Sequence, residues 1–261
     1  MQLTDLHLTA DPNARLKGIP THAALIDALQ FIDDRWGTTA PVFDAIVITG
    51  DLAHDEKLET YQELRTLLGR HLERCYFLPG NHDDRQWIRQ VFGDSVAQDH
   101  PFITFSVGMG GWRLIGLDSH VKGEVPGYVG REQVEWLADQ LQRHAQEPTI
   151  LFIHHPPFPI QSVWLDEIGL QDPDALMEVV RSHPQVRVIS AGHVHQEYDG
   201  QVEGIRVLTT PSTGLQFTPR LDEPDYAHIP PGFRVFSLEG DRCHTRVIRL
   251  PHLKYPPDPA S

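Results

Sequence analysis

Short apolar runs that halt at glycine or a polar side chain alternate along this chain with stretches of helical period. The clearest run leads through Ala45-Ile46-Val47-Ile48 to Thr49-Gly50-Asp51, and reads as a buried strand with a sharp turn at its carboxyl end. A strand is expected over Val42 to Thr49. Cys75 to Leu78, Thr149 to Ile153 and Val186 to Ser190 have the same character, and Phe102 to Val107 pairs with Trp112 to Leu117 through a turn at Gly108-Met109-Gly110-Gly111. Between the strands, Leu25, Ile26, Leu29 and Ile32 mark one face of a helix from Thr21 to about Trp36. Tyr61, Leu64, Leu67 and Leu68 mark a helix over Lys57 to His71, and Val134, Leu137 and Leu141 one over Glu132 to His144. A further helix is expected at Asp174 to His183. Ile205 to Thr209, Phe233 to Leu238 and His244 to Ile248 alternate as a second antiparallel layer. Buried strands separated by helices predict an α/β fold.

With no internal repeat or low-complexity linker, residues 1–261 read as one domain, with a loop and helix segment at about 155–183 and a Pro-rich, poorly ordered tail from about Pro251. Met1 to His7 looks like the tail of a first strand, so either that strand is short or translation starts upstream. Lys and Arg total 22 against 36 Asp and Glu, a net charge of -14 that disfavours nucleic acid as a partner. No apolar stretch approaches the roughly 20 residues that span a bilayer, and no secretory pattern opens the chain, so the expected compartment is the cytoplasm. The cysteines, Cys75 and Cys243, read as inert core thiols.

The 16 histidines exceed what an ordinary core needs, and several fall at strand ends. Asp5-Leu6-His7, Gly50-Asp51, Gly80-Asn81-His82-Asp83, His154-His155-Pro156 and Gly192-His193-Val194-His195 each follow an apolar run. The carboxyl edge of an open sheet is where ligands bind. Asp5, His7, Asp51, Asn81, His154, His193 and His195 together offer oxygen and imidazole donors without a thiolate, a set suited to Mn, Fe, Zn or Co, and Asp51 is the natural carboxylate to bridge two cations. Two such ions about 3.5–4 Å apart can share a water, lower its pKa and clamp a phosphoryl group.

These motifs resemble the calcineurin-like metallophosphoesterase superfamily over nearly the whole chain. Within it they are closest to the bacterial class III 3′,5′-cyclic AMP phosphodiesterases, through Trp164-Leu165-Asp166, Gly192 to Glu197, Thr210-Pro211-Ser212-Thr213 with Gln216-Phe217, and Pro231-Gly232-Phe233. The resemblance implies a four-layer α/β/β/α sandwich and two metal ions, one held by Asp5, His7, Asp51 and His195, the other by Asp51, Asn81, His154 and His193. It implies that His82 faces the phosphate, stabilising the transition state or protonating the leaving alkoxide, with Asp83 placed to orient it. It prefers His154 over His155 as the ligand, two residues before proline. The implied activity is hydrolysis of 3′,5′-cyclic AMP, with 2′,3′-cyclic nucleotides, glycerophosphodiesters or other small phosphodiesters as the alternative substrates. A scaffold on a dead phosphoesterase fold is the non-enzymatic alternative, and no ligand is missing to support it. Family members often form homodimers.

Other residues keep two readings. His54 reads as solvated or as supporting a ligand, with substrate contact the alternative. Trp164 and Phe158 could stack on a nucleobase, or pack the core rim or a dimer contact. His120, His144 and His183 read as surface residues.

Overall fold

A computed structural model describes residues 1–37, 43–93, 95–96 and 100–258. Strand β1 (Gln2–Leu3) is followed by helix α1 (Thr21–Trp36), β2 (Ile46–Thr49), α2 (Leu58–Leu68), β3 (Cys75–Leu78) and α3 (Arg85–Phe92). Then come β4 (Phe105–Met109), β5 (Trp112–Leu117), α4 (Gly130–Arg143), β6 (Thr149–Ile153), the short α5 (Val163–Asp166), α6 (Pro173–Ser182) and β7 (Val186–Ala191). The described elements close with β8 (Tyr198–Val202), β9 (Ile205–Thr209), β10 (Gly232–Glu239) and β11 (Arg242–Arg249). They form two sheets, ordered β11-β10-β1-β2-β3 and β4-β5-β6-β7-β9-β8.

The two-residue alternation of strand side chains assigns the layers. On β2, Ile46 and Ile48 pack with Leu25 and Leu29 of α1, Tyr61 and Leu64 of α2 and Phe92 of α3, whereas Val47 joins Leu114, Ile150 and Phe152 of the other sheet. On β6 the partners of Ile150 and Phe152 are thus across the seam, while Leu151 and Ile153 pack against Leu137 and Leu141 of α4 and Met177 and Val180 of α6. Helices cover the outer face of each sheet, which gives the α/β/β/α layering.

Several elements differ from expectation. The strand expected over Val42 to Thr49 begins at Ile46, and Val42 lies outside the described residues. The second helix yields at Gly69–Arg74 to a 3-10 turn, short of His71. The β4–β5 hairpin is tighter than expected, turning on Gly110-Gly111 alone, both with positive φ as two-residue hairpin turns require. Ile205 to Thr209 is not part of an antiparallel layer with the last two strands. As β9 it runs parallel to β7 in the second sheet, while β10 and β11 form a hairpin added to β1 in the first. Helix α3 rests on a local signal: Asp84 caps it by accepting from Gln86 N at 2.7 Å, and Ile88, Val91 and Phe92 are its buried face. The tail over 251–258 is not loose, because Lys254 Nζ reaches both Asp27 oxygens at 2.9 Å and Asp258 N donates to Lys17 O at 2.8 Å.

A polar clip crosses the seam beneath the site rim. Gln2, fully buried, donates through Nε2 to Thr49 Oγ1 at 2.9 Å and Ala191 O at 3.3 Å, and its Oε1 accepts from Ser190 Oγ at 2.6 Å and Thr210 Oγ1 at 2.8 Å. Gln2→Leu would strand the Ser190 and Thr210 hydroxyls in a dry seam, at about 1–3 kcal/mol for each unsatisfied group. Urea unfolding of this variant is expected to show a midpoint shift equivalent to roughly 2–6 kcal/mol, and an unchanged midpoint would contradict the clip.

Candidate metal centre

β1, β2, β3, β6 and β7 deliver their following residues to one rim. Asp5, His7, Asp51, His193 and His195 leave their strands with φ of 54°, 47°, 51°, 69° and 49°. Such left-handed backbone costs a non-glycine residue about 1–3 kcal/mol and is found where function requires it. The turns pack so closely that a Cβ at Gly80 would lie 2.2 Å from Asp51 Oδ1 and 2.7 Å from His154 Cε1.

All seven expected ligand residues come together there. Asp51 Oδ2 is 3.4 Å from His7 Nε2, which is 3.1 Å from His195 Nε2, and the latter is 3.4 Å from Asp5 Oδ1. On the other side, Asp51 Oδ1 is 3.5 Å from His154 Nε2, and Asn81 Oδ1 is 3.2 Å from His154 Nε2 and 3.1 Å from His193 Nδ1. Asp51 therefore turns one oxygen toward each donor group. The peptide N–H of His82 donates to its Oδ1 at 2.9 Å, and that of His193 to both oxygens of Asp5 at 3.1 Å.

Backbone carbonyls fix two of the imidazoles. His154 Nδ1 lies 2.7 Å from Thr49 O and His195 Nδ1 2.9 Å from Leu215 O. A carbonyl only accepts, so each Nδ1 carries a proton, and Nε2 is the nitrogen each ring turns toward the cluster. Burial, reinforced by His195, pushes His7 well below the usual imidazole range; burial and then His154 push His193 down to about 3. These rings are neutral at neutral pH, the form that ligates metal. Burial is the largest influence on Asp5 and Asp51 and works to raise them, but the surrounding groups together, His195 and then His154 at Asp5, and His154, His82 and the His82 peptide N–H at Asp51, hold both below the usual carboxylate range. Buried carboxylates and imidazole nitrogens converging at one rim, together with a His193 Nε2 that is buried and unpartnered, are a donor set that fits cations.

Asp83 departs from expectation. Its carboxylate does not reach the His82 ring; it accepts from Leu52 N and Ala53 N at 3.1 Å, Gly80 N at 2.8 Å and Tyr61 Oη at 3.1 Å. Burial and then Asp51 raise its pKa to about 7, against those three peptide donors. It ties the Asp51 turn to the Asn81 turn. The His82 ring is instead stacked on His54 at 4.7 Å and 28°, and lies 5.1 Å from His7.

His155 has both nitrogens occupied, Nδ1 by Ser119 Oγ at 2.8 Å and Nε2 by Val125 O at 2.9 Å, and is buried support for the loop over the site. His120 is not a surface residue: it is 5% exposed, with Nδ1 unpartnered. His144 and His183 are half-buried, the first beside Arg113 and Glu147. Phe158 belongs to the core of the second sheet, 6.1 Å from Tyr198. Trp164 packs edge-on against Phe217 at 4.9 Å, and Phe217 stacks on His195 at 4.5 Å. Phe217, singled out in sequence only as part of a family segment, covers His195, a contact that no local pattern 22 positions apart predicts. Burial raises Cys75 to about 12 and Cys243 to about 11, so both thiols are inert.

The profile of calcineurin-like phosphoesterases matches residues 1–197. The chain belongs to the calcineurin-like phosphoesterase family. This family consists of metal-dependent hydrolases with a dinuclear centre. A protein of Escherichia coli K12 named 3′,5′-cyclic adenosine monophosphate phosphodiesterase CpdA is 34% identical over 100% of this chain and 93% of its own length. The protein of that name from Pseudomonas aeruginosa is 33% identical over 96% of this chain and 89% of its own. Among solved structures, a dimetal phosphatase from Danio rerio superposes with a TM-score of 0.61 at 17% identity, covering 95% of this chain and 97% of that one, which supports the fold. Among the described residues no helix is long and apolar enough to cross a membrane.

The packing at Gly80 yields a test within this phosphoesterase fold. Gly80→Ala is expected to keep the far-UV circular dichroism of the parent but to lose stoichiometric binding of divalent metal in elemental analysis, because the new methyl group occupies the place of Asp51 Oδ1.

Proposed function

We propose that this chain hydrolyses 3′,5′-cyclic AMP to 5′-AMP at a two-metal centre, with Asp5, His7, Asp51 and His195 holding one ion and Asp51, Asn81, His154 and His193 the other. The observation that carries the reading is the Asp51 carboxylate set between two donor groups, one oxygen toward each. The near full-length similarity to enzymes named for cyclic AMP supports the substrate. The nitrogen and oxygen donors suit Mn, Fe, Zn or Co. The compartment we assign is the cytoplasm, in keeping with free Cys75 and Cys243, and the net charge of -14 argues against nucleic acid as substrate.

Cations held there would supply Lewis acidity to the phosphoryl oxygens and a water of lowered pKa for attack. The chain's own contribution is position and protons. Neutral His7 and His193 keep lone pairs available, and the Thr49 and Leu215 carbonyls prevent His154 and His195 from turning. His82, tied through its peptide N–H to Asp51 and through its ring to His54, is assigned as the general acid. As the P–O3′ bond breaks, a ring N–H of His82 gives its proton to the departing sugar oxygen, while the attacking water bonds to phosphorus through its oxygen and releases a proton to solvent, from which the ring is reprotonated. Asp83 holds the turn that presents His82.

His82→Ala is expected to retain both metals and to lose roughly 10²–10⁴-fold in kcat on 3′,5′-cyclic AMP. The loss should be smaller on a bis-aryl phosphodiester, whose leaving group needs little protonation. Equal losses on both substrates would remove the proton-donor role. Side-by-side kcat/KM values for 3′,5′-cyclic AMP, 2′,3′-cyclic AMP and a glycerophosphodiester in the manganese-loaded enzyme test the substrate, and a preference for either of the latter two would replace it.

A further inference from the structure

Of the histidines assigned to the metal centre, His7 lacks what His154 and His195 have, a backbone carbonyl to hold its outer nitrogen. Its Nδ1 faces another imidazole, lying 3.3 Å from His54 Nδ1, and among the described residues it has no other hydrogen-bond partner. Two nitrogens at that distance can share one proton. If His7 Nε2 points a lone pair at the cation, the proton of this neutral ring is on Nδ1, and the nitrogen across from it must accept.

His54 is held where it can do so. Its peptide N–H donates to Leu8 O at 2.7 Å, and the chain on either side is fixed by the Leu8–Ala53 bridge and by Asp55, which accepts from Ala10 N at 2.9 Å and Thr60 Oγ1 at 2.6 Å. The stack on His82 at 4.7 Å and 28° sets the plane of the His54 ring, and the edge-on contact with His7, 5.3 Å and 70°, aims Nδ1 at its partner. Contact with substrate is not needed to explain this residue.

We propose that His54 is a positioning residue that accepts the Nδ1–H of His7 and so fixes the tautomer in which His7 Nε2 is free to bind metal. This rests on the assignment of His7 as a ligand. The side chain does for His7 what Thr49 O and Leu215 O do for His154 and His195, with one difference: an imidazole can also present a proton, so the arrangement holds only while His54 Nδ1 is bare. Removing a partner of this kind from a metal-binding histidine typically costs roughly 10–100-fold in affinity.

The test compares His54→Phe, which keeps a ring for the stack and removes the acceptor, with His54→Asn, which keeps an acceptor oxygen and removes the ring. Long-range proton–nitrogen NMR of the zinc-loaded protein reads the His7 tautomer, and calorimetric titration with manganese reads the two affinities. The wild type should bind two ions with His7 protonated at Nδ1. The Phe variant should weaken one ion roughly 10–100-fold and leave the other unchanged, and the Asn variant should restore both the tautomer and most of the affinity. Wild-type manganese affinities in the Phe variant, or an Asn variant as weak as Phe, would overturn the proposal while leaving the two-metal reading intact. A wild type that takes up fewer than two ions would overturn both. Should the Phe variant fail to fold, the wild-type spectrum still decides, because zinc-loaded His7 with no proton on Nδ1 excludes the role.

Discussion

Everything at this rim depends on the contact between the two sheets. Asp5, His7, Asp51 and Asn81 come from strands of the first sheet, and His154, His193 and His195 from the second. Donor atoms with buried lone pairs and carboxylates have no intrinsic reason to approach within 3.1–3.5 Å, because like groups in a poorly hydrated space repel. The approach is enforced from below, by apolar packing of Val47 against Ile150 and Phe152 and by the Gln2 side chain, which bonds to both sheets. The seam supplies the free energy, and the left-handed residues at the strand ends consume part of it.

Much of this was readable because it is local. A strand followed by glycine and a ligand-type side chain is a short-range pattern, and Asp5, Asp51, Asn81, His154, His193 and His195 follow from it once the strands are found. What escaped is non-local. The direction of Asp83 is set by the peptide N–H groups of Leu52 and Ala53 and by Tyr61, more than twenty positions upstream, and adjacency to His82 gave no hint of them. His155 beside His154 was separable only through alternation, which sends it to Ser119 and Val125. Burial of His120 arises from the loop after β5 folding over the Asn81 turn, and its polar neighbours in sequence suggested the opposite. The pairing of β9 with β7 and of β10 with β1 likewise depends on which edges are free, and strand composition does not record that. The cap of α3 by Asp84 is by contrast local, formed within two residues.

Asp83 also shows how a carboxylate can serve the centre without touching substrate. Two turns, one carrying Asp51 and the other Asn81 and His82, donate their peptide N–H groups to the same pair of oxygens. Displacing one turn would leave a buried acceptor short of partners, so the two move together or not at all. The spacing between the two donor groups is thereby fixed by covalent geometry and one shared acceptor, independent of what the groups hold.

The position of β1 bears on how such a chain emerges during synthesis. It lies between β2, the next strand in the chain, and β10, some 230 residues later, with Gln2 opposite Arg234. Until 232–249 are made, one side of β1, the strand that leads to Asp5 and His7, has no ladder partner and is open to wrong pairing. The segment that presents Asp5 and His7 is thus sealed by a strand more than two hundred residues downstream, so long-range closure, and no local signal, completes the ladder beneath the first ligands.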